Sequence, residues 1–144
     1  MPIPNTLTRI LDLPHPQARV WAALTTLDGI TRWFGSHAEG ELAPGHDVVM
    51  RWAEHGDHTK TLAIKVIDPM SVFAYTWGID GAPAADPRRT YVEFALEPTT
   101  SGTRLTVTES GFAQLPDEWL GSYEGNGHGW RTELAKLVAC LDAA

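Results

Sequence analysis

From Val48 to Val107 the apolar residues recur at every second position. Val48, Met50 and Trp52 alternate with Asp47, Val49 and Arg51, and Leu62, Ile64 and Val66 alternate with Thr61, Ala63 and Lys65. Phe73, Tyr75 and Trp77 share a face, and Val92, Phe94 and Leu96 lie opposite Glu93 and Glu97. Leu105 and Val107 alternate with Arg104, Thr106 and Thr108. Period two puts successive side chains on opposite faces of a strand. Turn signals divide the segments. They are Ala43-Pro44-Gly45-His46, Glu54-His55-Gly56-Asp57, Asp68-Pro69, the loop from Gly78 to Pro87, and Thr99 to Gly102. Consecutive strands joined this way form an antiparallel meander with one apolar face, which another element must cover.

The C-terminal segment is the candidate cover. Trp130, Leu134, Leu137, Val138 and Leu141 fall at i, i+4, i+7, i+8 and i+11, a helical stripe. At the other end, Leu7 to Leu13 reads as a strand stopped by Pro14. Pro16 suits the first position of a helix over residues 16–26, on which Val20, Leu24 and Leu27 make one face. Asp28 is placed to cap a second short helix carrying Ile30, Trp33 and Phe34. The expected class is α+β: a curved antiparallel sheet wrapped around a long C-terminal helix, with two short helices after the first strand. No linker or repeat divides the chain, so residues 1–144 are expected to form a single domain.

Charge narrows the choice of partner. Eleven basic residues against 18 acidic ones give a net charge of −7, which repels nucleic acid and anionic membranes alike. No apolar run approaches the roughly 20 residues that span a bilayer. The first residues, Met1-Pro-Ile-Pro-Asn, lack the basic and apolar regions of a signal peptide, so the cytoplasm is the expected location. Cys140 is the only cysteine, which excludes an intramolecular disulfide and a cysteine-rich zinc site.

The order of elements resembles the START-like (helix-grip) superfamily. The wording resembles its AHSA branch, named for activators of the ninety-kilodalton heat-shock chaperone's ATPase and so linked to the stress response. The matching residues are spread along the chain. Val20-Trp21, Ala23-Leu24-Thr25, Trp33-Phe34, Pro44-Gly45, Val66-Ile67-Asp68-Pro69 and Tyr75-Thr76-Trp77 come first. Val92-Glu93-Phe94, Gly102-Thr103-Arg104-Leu105-Thr106, Glu109-Ser110-Gly111-Phe112 and Gly129-Trp130 follow. The resemblance implies an apolar cavity between the sheet and the C-terminal helix, and a small hydrophobic ligand of lipid or polyketide kind. It implies no cofactor and carries over no catalytic set. The chaperone activators have a further N-terminal domain for which 144 residues leave no room, so a chaperone-ATPase-activating interaction domain ranks behind ligand binding as an alternative.

Candidate site residues follow from the faces. Trp52, Trp77, Phe94 and Met50 point inward from their strands, Trp33 and Phe34 would close the cavity mouth, and Phe112, Tyr123 and Trp130 would add to its walls. For any one of them core packing is the first reading and a lined pocket the second, although six tryptophans exceed what a core of this size needs. Glu109 continues the inward row of Leu105 and Val107. A carboxylate there must be paired, hydrogen-bonded or shifted in pKa, and is the candidate ligand anchor or catalytic acid–base group. Gly121, Gly125 and Gly129 form a stripe in a segment that could be helix or loop; in a helix they would mark a close backbone approach or cavity space. Glu54, His55, Asp57 and His58 cluster in a predicted loop, but without zinc-ligand spacing, so no metal site is expected. Rival roles are a cyclase-type enzyme using Glu109 with Tyr123, and an interaction protein docking through exposed Trp33-Phe34. Monomer and homodimer both remain open.

Overall fold

The computed structural model describes residues 3–53, 58–80, 82–83 and 85–143. The expected turn at 54–57, with Glu54, His55 and Asp57 of the polar cluster, lies outside the described residues. The elements in chain order are β1 (Thr6–Leu13), α1 (Gln17–Thr25), α2 (Leu27–Ile30), β2 (His37–Gly40), β3 (Asp47–Trp52) and β4 (His58–Asp68). Then come β5 (Val72–Gly78), β6 (Arg89–Thr99), β7 (Gly102–Ser110) and the 24-residue α3 (Leu120–Ala143). Among the described residues the strands make one seven-stranded antiparallel sheet in the order β1-β7-β6-β5-β4-β3-β2. This is the α+β helix-grip arrangement expected from the sequence.

Local chemistry sets the boundaries. His46 N donates to the Ala43 carbonyl at 3.0 Å and Gly45 has φ +86°, the turn that Pro44-Gly45 encodes. Pro16 stands just ahead of α1 rather than inside it, and its carbonyl accepts from Arg19 N and Val20 N. Thr26, not Asp28, caps α2: Gly29 N donates to Thr26 Oγ1 at 2.9 Å, while Asp28 sits in the first turn and pairs with Arg32. Helix α2 stops at Ile30, so Trp33 and Phe34 are carried by the turn that follows it.

Alternation holds along most strands. The inward rows are Val48, Met50 and Trp52 on β3, Phe73, Tyr75 and Trp77 on β5, and Thr90, Val92, Phe94 and Leu96 on β6. On β4 the pairing shifts between Ile64 and Val66, leaving Lys65 as an extra residue. Val66 therefore leaves the row of Leu62 and Ile64, and both Val66 and Ile67 are half-buried. Trp130, Leu134, Leu137 and Leu141 of α3 are buried, and Val138 is half-buried at the edge of the same stripe. The far end of α3 is pinned to the α1 region: His15 Nε2 lies 2.8 Å from Asp142 Oδ1, and Arg19 Nη2 donates to the Leu141 carbonyl.

Candidate functional site

Strand β7 turns Thr103, Leu105, Val107 and Glu109 to the inner face, so the apolar row ends in a carboxylate. Glu109 is fully buried. Trp130 Nε1 donates to its Oε1 at 2.8 Å, and Trp77 Nε1 and Thr90 Oγ1 donate to Oε2 at 2.8 and 2.5 Å. Asn126 Nδ2 lies 3.0 Å from each oxygen. These contacts take up the acceptor sites of the carboxylate. Glu109 thereby ties β5, β6 and β7 to α3.

A second carboxylate works from the helix side. Glu133 is buried, and its Oε1 accepts from Trp52 Nε1 and from Gly35 N at 3.3 Å. Lys136 Nζ lies 2.8 Å from Oε2. Gly35 has φ +72°, and a Cβ there would stand 2.8 Å from the Arg51 carbonyl oxygen. Glycine alone lets the turn after α2 reach the helix carboxylate. Two carboxylates therefore aim three indoles.

Those indoles, Trp52, Trp77 and Trp130, join Phe34 as the wall of a pocket of about 240 Å³ between α3 and the sheet. Gly125 and Gly129 line it from α3, and a Cβ at either would meet no atom within 4 Å. Residues 121–129 are thus helix, with open space at Gly125 and Gly129. Gly127 differs, since it packs against Leu7 and Arg9 of β1. His58, Asp80 and His128 edge the pocket from partly or fully exposed positions. Lys60 also lines it, with a side chain only 8% exposed. Its Nζ sits 3.5 Å from the Trp77 ring centroid and 3.2 Å from Asp80 Oδ1. Burial holds the Lys60 ammonium below the ordinary lysine value, against the opposing pull of Asp80 and Glu109.

Of the residues expected to line a cavity, Phe34, Trp52, Trp77 and Trp130 meet at the pocket. Trp33, Met50 and Phe94 are buried behind it: Trp33 stacks on Phe34 at 4.9 Å, and Phe94 meets Trp130 edge to face at 5.7 Å. Glu109 lies beneath the wall and does not line the pocket. Phe112 and Tyr123 meet each other at 5.0 Å beside β1, where Tyr123 Oη donates to the Thr6 carbonyl at 3.3 Å. Rings fill much of the space that the sequence assigns to a ligand. Trp33 and Phe34 are at most 1% exposed, so these two side chains do not form the exposed surface that the rival interaction reading called for. Lys60, Asn126, Glu133 and Asp80 were not anticipated. The first three carried a signal, since Lys60 is two positions from Leu62, and Asn126 and Glu133 flank Trp130 by four and three.

Among the described residues no three His, Cys, Asp or Glu side chains are placed to hold a metal ion. His58 lies instead 3.4 Å from Asp80 Oδ1.

Sequence comparison matches residues 14–142 to the family described as activator of Hsp90 ATPase homolog 1-like protein. The chain belongs to this family. Comparison with curated proteins gives no match. Among solved structures, protein MLL2253 from Mesorhizobium loti superposes with a TM-score of 0.82 at 26% identity, over 96% of this chain and 98% of that one. DynU16, a putative protein in the dynemicin biosynthetic locus, gives 0.78 at 20% identity, over 96% of this chain and 48% of its own. The Aha1 dimer from Colwellia psychrerythraea gives 0.76 at 17%, over 94% and 95%. The last two likenesses are of fold alone. Among the described residues, no helix of this family member is long and apolar enough to cross a membrane.

Proposed function

We propose that the chain binds a small, largely apolar molecule in the pocket between α3 and the sheet, with residues 1–144 acting as one binding unit. The observation that carries this reading is the pair of glycines at the pocket. Each glycine inside a helix costs about 1 kcal/mol relative to alanine, yet neither Gly125 nor Gly129 has a neighbour that forbids a side chain. What their missing side chains leave is room beside three tryptophans and Phe34. Apolar and aromatic walls with few polar groups are the usual make-up of a ligand site. Two rival readings lose support. Glu109 has no acceptor site left for acid–base work on a ligand, and a chaperone contact through Trp33-Phe34 would need buried rings to come out.

Native mass spectrometry of protein purified from its own host is expected to show a retained small molecule. Titration calorimetry with 2-naphthalenemethanol is expected to show one binding site in the wild type. Gly129→Leu should fill the pocket and lower that affinity at least about tenfold, the loss expected when a side chain takes the ligand's place. Unchanged affinity in a folded Gly129→Leu would move the site elsewhere.

A further inference from the structure

The pocket holds a buried primary amine that the fold itself does not require. Lys60 occupies an inward position of β4 beside Leu62, where an apolar residue of similar volume would be as stable or more so. The carboxylate of Glu109 does not need it, because neutral donors already satisfy Glu109. The charged and titratable groups around the amine come from several elements. Asp80 lies on the loop after β5, His58 on β4 itself, Glu109 on β7, and His128 and Glu133 on α3, with Lys136 paired to Glu133. Carboxylates thus outnumber cations here, and a further anion would be repelled. A neutral ligand that reacts with the amine meets no such barrier.

We infer that Lys60 is the nucleophile for a small apolar aldehyde or ketone, which it captures as an iminium inside this pocket. The inference rests on the pocket being a ligand site. Asp80, 3.2 Å away, takes one proton from the ammonium. The freed nitrogen lone pair attacks the carbonyl carbon, the C=O π pair moves to oxygen, and an N–H proton follows to give a carbinolamine. Asp80 then returns its proton to the hydroxyl, the C–O bond breaks, and water leaves. The sum is ammonium plus carbonyl giving iminium plus water, with no redox change. The product keeps one positive charge on the same nitrogen, so the Trp77 face and Asp80 that hold the ammonium also hold the iminium. Desolvation opposes that pull: it favours the neutral amine and so helps to free the lone pair that attacks.

The other two lysines are internal controls: Lys65 is exposed, and Lys136 pairs with Glu133. The wild-type protein is treated at neutral pH with 2-naphthaldehyde and cyanoborohydride, and the labelled lysine is located by peptide mass spectrometry. Calorimetry with 2-naphthalenemethanol, which cannot form an imine, reports the pocket separately. Lys60 should be labelled at least roughly a hundredfold faster than Lys65 or Lys136, the scale that one positioned acid–base group contributes. In Lys60→Met the slow labelling of Lys65 and Lys136 should persist with none at position 60, and Asp80→Asn should slow Lys60 labelling roughly a hundredfold, the scale of one acid–base group. If the alcohol binds but the three lysines label at equal rates, the inference fails and the pocket stands. If neither probe binds, the pocket reading falls and takes this inference with it.

Discussion

Glu109 is a carboxylate surrounded by donors, and that arrangement decides what substitutions do. In Glu109→Gln the new amide group would turn an N–H₂ toward Trp77, Thr90, Asn126 or Trp130, all of which already donate. A loss of about 2–4 kcal/mol is expected, measured by urea denaturation; wild-type stability would show that the network relaxes freely. Tyr75 presents the opposite case. Its hydroxyl is buried with no hydrogen-bond partner among the described residues, and burial, with Glu109 and Glu133 nearby, holds its pKa well above the ordinary tyrosine value. Tyr75→Phe removes that unpaired group and should raise stability by about 1 kcal/mol, read from the same unfolding curves; a clear loss would point to a partner not yet seen. Glu109 could be anticipated from the strand period alone. Lys60 obeys the same period, two positions before Leu62, and was as readable. The partners of either could not be anticipated, because they come from β5, β6, α3 and a loop far along the chain.

At the scale of elements, α3 carries two kinds of glycine. Gly125 and Gly129 face open space, so Gly125→Ala and Gly129→Ala should each stabilise the protein by about 0.5–1 kcal/mol. A Cβ at Gly127 would stand 3.3 Å from Arg9 Nη2 and 3.4 Å from Leu7 Cδ1, and Gly127→Ala should gain nothing or lose stability. Thermal unfolding of the three variants checks the contrast, and equal gains at all three positions would remove it. The strands and the helical stripe were readable because their periods persist over many residues. Three details were not. The Lys65 bulge breaks the period within a single residue, α2 starts one residue before Asp28 so that Thr26 is the cap and Asp28 lies in the first turn, and the helicity of residues 121–129 goes against their glycine content. Tertiary packing of Trp130 and Leu134 overrides that local preference.

Over the whole molecule, the buried amine leaves a signature in the pH dependence of stability. The ammonium of Lys60 is less acidic once unfolding returns it to water, since burial depresses its folded value. Between the folded value and the ordinary lysine value the unfolded chain binds more protons, so stability rises with pH across that window. Below the folded value the penalty is present in full. The difference in unfolding free energy between wild type and Lys60→Met should therefore shift in favour of wild type as pH rises from neutral into that window. A flat difference would mean that Lys60 titrates normally.

Period and turn chemistry were enough to specify seven of the features that make this fold: five meander strands, the first strand and the closing helix, each with its buried face. Periodicity records which side of an element leaves water, and the elements here obey that record except where the bulge at Lys65 interrupts β4. It does not record which distant side chains meet on that side, or how much of the space they fill. Those two questions were settled only when β3, β4, β5, β7 and α3 came together. Rings that could have walled a large cavity stacked on one another, two carboxylates took hold of the indoles, and a small pocket with one buried lysine was left.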